Sequence, residues 1–293
     1  MSASRRTDIP AFYMPWFMQQ IKRGFFEVTN PFNQRVSRVP ALPDKVHTIV
    51  FWSKNYGLFL DDKYGEQLVN HGYHLFFNFT INSDCNSLEP NVPPLIKRLD
   101  QLEQMCQRFG ADTIHWRFDP LCFFKSGIGP LQNNMHDFTS ISAKAAQCGI
   151  DRCITSFMDH YTKISKRLFS RPGFEFFDPP LEKKLDILTR MEAELAFCNI
   201  QLSVCCEKEL LEFLPRQSTI SRSACIPGAL IQQLFGGRIP QKKDAGQRIK
   251  AGCGCTVSSD IGSYHQQPCY HNCLFCYANP KSRRLSDIIG KRR

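Results

Sequence analysis

At 293 residues, with 42% apolar side chains and 24 phenylalanines, the chain has enough apolar mass for a sizeable core, arranged as one large domain or two small ones. Its net charge of +10 permits an RNA, DNA or phosphorylated partner through counterion release, and equally a solubilising surface. No apolar run is long enough to span a bilayer. Fourteen cysteines, not spaced like a small disulfide-stapled module, point to a reducing compartment.

The expectation is therefore a soluble, cytoplasmic protein without a membrane partner. The opening Met1-Ser2-Ala3-Ser4-Arg5-Arg6 has no apolar stretch behind its arginines and does not read as a secretory signal.

Ser2–Ser4 is the first strand candidate. Asp8 can cap a helix and Pro10 suits its first turn, so a helix is expected over Ala11–Gly24. Val28–Pro43 is turn-rich and reads as an irregular excursion or hairpin. A buried strand follows at His47–Trp52, a helix at Asp61–His71 and a strand at His74–Thr80. Beyond a proline-rich loop comes a long amphipathic helix from about Val92 to Phe109, then a strand at Thr113–Pro120 that the proline should stop. Asn134–Cys148 reads as a helix, Arg152–Phe157 as a strand, Arg171–Pro180 as an aromatic loop, Leu181–Phe197 as a helix and Ile200–Val204 as a strand. After that the alternation weakens, although 280–291 is long enough for a closing helix.

Strand and helix patterns thus alternate about six times, which argues for an α/β fold of parallel strands with helical crossovers. A doubly wound sheet and a (β/α) barrel, complete or partial, both satisfy the pattern, and about 250 residues is the usual length of such a barrel. Residues 1–205 would form the body. Residues 206–293 would be a cysteine-rich C-terminal region packed on the same domain.

Ligands gather at the carboxyl ends of parallel strands. Those ends carry Arg5, Arg6 and Asp8; Lys54 and Asn55; Asn78 and Thr80; Arg117 and Asp119; Ser156 and Asp159; and Glu207. Singly each is a helix cap or surface group. Arg117 and Asp119 share a strand face and can simply pair.

The most chemically specific stretch is Cys269-Tyr270-His271-Asn272-Cys273-Leu274-Phe275-Cys276-Tyr277. Thiolates are soft ligands that favour zinc, copper(I) and iron–sulfur clusters. A four-iron cluster takes four thiolates; three leave one iron open for chemistry. Cys269, His271, Cys273 and Cys276 also satisfy a Cys₃His zinc pattern, and buried thiols without metal are the plainest alternative.

A second group comprises Cys206, Cys225 and Cys253-Gly254-Cys255, with Cys205 competing with Cys206 because neighbours on a strand face opposite ways. Gly254 would let the backbone turn so that both flanking sulfurs meet one centre. Four thiolates would close an iron–sulfur cluster or a Cys₄ zinc site; the alternative is scattered packing. Cys85, Cys106, Cys122, Cys148, Cys153 and Cys198 read as core or surface residues. No GxGxxG follows a strand and no Walker loop is present.

The spacing of Cys269, Cys273 and Cys276, with Phe275 before the third cysteine, resembles the cluster loop of radical S-adenosylmethionine (SAM) enzymes. More narrowly, Ser2–Pro10, the segment 30–33, Phe51–Asn55, Arg117–Pro120 and Asp260–Tyr264 resemble, over essentially the whole chain, a bacterial family of unknown function with a radical-SAM-like cysteine cluster at its C-terminus. The resemblance implies a [4Fe–4S] cluster and SAM, cleaved to methionine and a 5′-deoxyadenosyl radical that removes hydrogen from a substrate, with a reductant such as flavodoxin or ferredoxin. It implies no particular substrate. The cluster-binding βα unit usually comes first in that superfamily; here it comes last, so the barrel would be permuted and the loop would lie beside Ser2–Ser4. Arg5 or Arg6 with Asp8 would then border SAM, with Asn78, Arg117 and Asp119 deeper in the mouth. An iron–sulfur electron-transfer or sensor protein without SAM chemistry, and a zinc-stabilised nucleic-acid-binding protein, are the two other expectations.

Overall fold

The computed structural model describes residues 1–30, 33–169 and 171–278. The closing helix expected over 280–291 lies outside the described residues. At the centre is a seven-stranded, wholly parallel sheet built from Ser2–Ala3, Thr48–Ser53, His74–Thr80, Ile114–Leu121, Arg152–Phe157, Gln201–Val204 and Ser221–Arg222. The strands stand side by side in the order in which the chain makes them. Such strands are covered on both faces, which is why Thr48–Ser53 and His74–Thr80 read as apolar runs rather than as alternating patterns.

The two-residue period still sorts the faces. Phe51, Phe77, Phe79, Trp116 and Phe118 enter the main core with the helices. Val50 and Phe76 point the other way, into a smaller cluster with Cys225, Ile226, Ile231, Cys253 and Cys255. The helix Leu95–Phe109 buries Leu102 and Met105 and packs Leu95, Leu99 and Phe109 against the main core, a stripe of helical spacing. The helix Leu181–Phe197 does the same with Leu188, Met191 and Leu195.

Several local expectations are revised. The first helix is two helices, Ile9–Phe12 and Met14–Arg23. Pro15 lies in the first turn of the second and has no N–H to continue the ladder of the first. Asp8 does cap the first, accepting from the Ala11 N–H at 3.0 Å. The turn-rich segment is an antiparallel hairpin of Phe25–Thr29 with Val36–Pro40. Pro120 does not stop its strand: Ile114–Leu121 runs through it, with a register irregularity between Phe118 and Leu121. Within the aromatic stretch, Phe174–Phe177 is a strand of a separate antiparallel sheet with Phe123–Ser126 and Gln132–Asn133. Past Val204 the sequence signal faded, yet the chain forms the helices Lys208–Phe213 and Gly228–Phe235 and the last parallel strand. These elements are too short for a periodic pattern to register.

The segment after Cys253 joins distant parts. Thr256 N–H donates to the Ile226 carbonyl at 3.1 Å, just past the last strand. Asp260 then bridges Ser2 in the parallel sense, with Ser2 N–H on the Ser259 carbonyl at 2.8 Å and Ile261 N–H on the Ser2 carbonyl at 3.0 Å. Among the described residues no helix is long and apolar enough to cross a membrane.

Candidate functional site

Both cysteine groups lie beside residues from the carboxyl ends of the parallel strands, and their surroundings differ. The Cys269–Cys276 loop is pinned from several sides. Tyr13 Oη donates to the Pro268 carbonyl at 2.6 Å, Asn91 Nδ2 to the Tyr270 carbonyl at 2.8 Å, and Leu274 N–H to the Leu88 carbonyl at 2.8 Å. Arg167 donates to the carbonyls of Cys273 and Cys276. Tyr277 Oη reaches the Arg5 carbonyl at 3.1 Å, so the loop does lie beside the N-terminal strand.

Cys273 is buried and donates to Glu89 Oε1 at 3.8 Å. Glu89, itself 5% exposed, also pairs with Lys54 Nζ at 2.6 Å. The Lys54 ammonium sits 5.4 Å from the centre of the Phe275 ring. Burial works against the Lys54 charge, but Glu89 and Cys273 outweigh it and raise its pKa. Burial, then the neighbouring carboxylates Asp8 and Glu89 respectively, push the Cys269 and Cys273 thiols up. A ligand metal must displace those protons. Cys269, Cys273 and Cys276 are close enough to feel one another's charge. Cys85 and Cys122 pack into the same apolar cluster as Cys273 and Cys276. A cavity of about 230 Å³ has Asp84, Cys85, Glu89 and Arg98 in its wall, and Glu89 is the residue it shares with the surroundings of Cys273.

Asp8 is fully engaged here. Besides capping Ala11 it accepts from Ser53 Oγ at 2.7 Å and from the Lys54 N–H at 2.9 Å. Its Oδ2 is 2.8 Å from His271 Nε2. The other ring nitrogen of His271 is 3.4 Å from the Asn91 carbonyl.

The second group gathers more sulfurs than expected. Cys205 Sγ is 3.8 Å from Cys206 Sγ and 4.0 Å from Cys225 Sγ. Cys206 also meets Cys253, Cys253 meets Cys255, and Cys255 meets Cys225. Five thiols therefore close a ring. The strand ends at Val204, and Cys206 adopts a left-handed φ of 61°, so the alternation that would have separated Cys205 from Cys206 no longer applies. Gly254 serves a close approach rather than a left-handed turn: a Cβ there would stand 2.6 Å from the Ser223 carbonyl oxygen.

The residues expected deeper in the mouth attend this ring. Arg117 Nη1 donates to Cys225 Sγ at 2.5 Å, and Nη2 to Asp119 Oδ2 at 2.5 Å. Asp119 also accepts from Ser156. Asn78 Nδ2 donates to the Cys225 carbonyl at 2.9 Å. Arg5 turns its guanidinium to the same side, near Cys255, Asp244 at 3.6 Å and Ser258 Oγ at 3.2 Å. The Arg5 and Arg117 guanidiniums lie 5.4 and 5.7 Å from the Trp52 ring. Arg6 engages Asp260 at 3.3 Å and the Gly262 carbonyl at 3.1 Å. Arg5 thus borders the loop through its backbone carbonyl, while the charged ends of both arginines engage the segment 244–262.

Within the ring the thiols divide. Hydrogen bonds from Cys206 and Cys225 pull Cys205 down, helped by Arg117; bonds from Cys225 and Cys253 pull Cys255 down, helped by Arg5. Cys206 and Cys225, as donors, are pushed up. At the rim, Arg248 pairs with Asp159. Glu207 accepts from the Phe157 N–H at 2.8 Å, and burial pushes its carboxyl up to about 7.

Among the described residues no three His, Cys, Asp or Glu side chains stand ready-made as an ion cage. Glu89, Arg167 and Trp52 were missed by sequence reasoning. Glu89 and Arg167 carry no motif, and Trp52 reads as a core residue of its strand.

None of the curated proteins matches the chain. Among solved structures, it is similar to a D-hydantoinase from a Bacillus sp. AR9 at 14% identity and a TM-score of 0.30. That match covers 56% of this chain and 34% of the hydantoinase, so the chain spans about a third of that protein's length. At that TM-score the likeness bears on neither fold nor activity. The family model for a domain of unknown function, DUF1848, matches residues 1–278. With so nearly the whole length matched, the chain belongs to the DUF1848 family.

Proposed function

We propose that the chain is an iron–sulfur enzyme of the radical SAM type, with Cys269, Cys273 and Cys276 as the only protein ligands of a [4Fe–4S] cluster. The observation that carries this reading is the setting of the loop. Three cysteines from one short segment lie together beside the N-terminal strand, with Glu89 of the Cys273 surroundings also in the wall of a cavity. When bound, the cluster and SAM would supply the radical chemistry; the protein supplies binding, orientation and exclusion of water. The single-file order of the parallel strands supports a barrel-like wall, partial or complete, with the cluster loop after the last strand and next to the first.

The chain's own residues have definable tasks in this reading. Asp8 orients His271 and ties the loop to the first helix and to Lys54. Lys54 and Glu89 form a buried charge pair against Cys273, and Arg167 holds two loop carbonyls, fixing the turn on which the sulfurs sit. The Cys₃His zinc alternative is disfavoured because both His271 nitrogens face other partners. Reduction would come from a flavodoxin or ferredoxin.

The test is anaerobic reconstitution with iron and sulfide, followed by dithionite and SAM. A reduced-cluster electron paramagnetic resonance signal that changes on adding SAM, together with release of 5′-deoxyadenosine, is expected. Cys273→Ala should lose both. A colourless protein holding zinc at the loop, or full SAM cleavage by Cys273→Ala, would overturn the reading. A cluster that never cleaves SAM would move the chain to the electron-transfer or sensor class.

A further inference from the structure

We infer that Cys205, Cys206, Cys225, Cys253 and Cys255 constitute a second, independent thiolate centre that binds one soft divalent cation, zinc, on the sheet face opposite the main core. This inference does not depend on what the C-terminal loop holds.

The first support is convergence. The five sulfurs come from three separate segments: the end of one strand, the loop after the next, and the strap that runs back to Ser2. Cys225, Cys253 and Cys255 are 4%, 6% and 4% exposed. Two backbone features serve the convergence directly. Cys206 takes a left-handed conformation unusual for a side-chain-bearing residue. Gly254 lets the Cys253–Cys255 segment touch the Ser223 backbone and the Ala224 side chain just ahead of Cys225.

The second support is spacing. A tetrahedral thiolate site with metal–sulfur bonds of about 2.3 Å holds its sulfurs about 3.8 Å apart. Cys205 stands at 3.8 Å from Cys206 and 4.0 Å from Cys225, the separation of two ligands on one such ion. A four-iron cluster places its metal core between the thiolates and keeps them farther apart. Four of the five sulfurs suffice for one ion. The adjacent Cys205 and Cys206 make one of them redundant.

The third support is charge. Four thiolates around a divalent cation carry a net charge of about −2. Two buried guanidiniums, Arg117 on Cys225 and Arg5 beside Cys255, face the ring. Each guanidinium already has a carboxylate partner, Asp119 at 2.5 Å and Asp244 at 3.6 Å, and each also faces the sulfurs, where it favours an anionic centre. The surroundings are also incomplete as they stand. Asn78 Oδ1, Ser223 Oγ and both nitrogens of His115 are buried without a partner, and Asn78 is already tied to the Cys225 carbonyl. Buried polar groups without partners are rare enough to mark a missing neighbour.

The experiment uses the full chain with Cys269, Cys273 and Cys276 all replaced by Ala, so that the loop cannot contribute. Metal analysis after purification should give about one zinc per chain, the stoichiometry of a single tetrahedral site. Exchange for cobalt(II) should give the strong visible bands and sulfur-to-metal charge transfer of tetrahedral thiolate coordination. In that background Cys225→Ser or Cys255→Ser should weaken cobalt binding by more than roughly tenfold, the smallest loss typical of even outer-shell partners. Cys205→Ser and Cys206→Ser singly should retain it. Should Cys225→Ser fail to fold, the cobalt spectrum of its parent still reports whether a tetrahedral thiolate site is present. Less than a tenth of a metal per chain, an octahedral cobalt spectrum, or iron with acid-labile sulfide in place of zinc would each overturn the inference. The Proposed function would stand or fall separately, on the reconstituted loop.

Discussion

The C-terminal loop and the five-thiol ring gather the same side chain in opposite ways. The loop draws its cysteines from eight consecutive residues and surrounds them with carboxylates and a lysine: Asp8, Glu89 and Lys54. The ring draws its cysteines from three segments spread over about fifty residues and surrounds them with arginines. Burial and nearby negative charge push the loop thiols Cys269 and Cys273 up. In the ring, thiol donors and guanidiniums already favour thiolate at Cys205 and Cys255. The contrast separates a group organised by local spacing from one organised by tertiary closure with its sulfurs in mutual contact.

The strongest way to break the comparison is at Arg117. Arg117→Met removes the guanidinium from both Asp119 and Cys225 and leaves Asp119 with Ser156 as a side-chain partner. Breaking a buried ion pair from one side costs about 3–5 kcal/mol. Denaturant unfolding should show a loss of that size, and the ring should lose metal while the loop retains iron. A loss below about 1 kcal/mol would mean the arginine is not integral to the ring.

Gly254→Ala asks whether the strap must touch the Ser223 backbone. The added Cβ meets a carbonyl oxygen at 2.6 Å, which backbone cannot absorb without moving. Overpacking of this kind costs roughly 1–3 kcal/mol. Cobalt binding by the ring should weaken, with the loop unaffected.

His115 provides a pH-dependent probe of the ring's face. Burial first, then Arg152 and Arg117, pull its pKa down to about 3. The folded imidazole therefore stays neutral while the unfolded one protonates near 6.5. This contribution to stability is fully present above that pH and is lost as pH falls toward the folded value, at about 1.4 kcal/mol per pH unit for one proton. His115→Phe should flatten the stability profile between pH 6 and 4 by about that slope, measured against the unsubstituted chain in the same buffers. An unchanged slope would show that His115 is not held neutral.

On the loop side, Asp8→Asn retains one acceptor oxygen but loses the carboxylate shared by Ala11, Ser53, Lys54 and His271. Asn still caps the helix, so the expected cost of about 1.5–3 kcal/mol is that of hydrogen bonds to a charged group. Iron retention at the loop should fall and zinc in the ring should not. Equal losses at both would merge the two regions into one cooperative unit.

By itself, the sequence determined those features that rest on local pattern. His74–Thr80, Arg152–Phe157 and Leu181–Phe197 were readable residue for residue, because buried strands and amphipathic helices carry their period in the side chains. The loop cysteines and the Asp8 cap were readable for the same reason: spacing over a few residues fixes which groups can meet. Pro120 shows the limit, since a proline inside a strand was compatible with the register the neighbouring strands imposed.

The tertiary structure alone decided which side chains share a site. Arg5 and Asp8 leave the same strand end, yet one faces the ring and the other the loop. Cys205 and Cys206 both reach the ring only because the strand stops at Val204 and the next residues turn. Glu89 and Arg167 reach the loop from segments far away along the chain. Convergence of this kind depends on how strands stack and where loops return, and no short-range period records it.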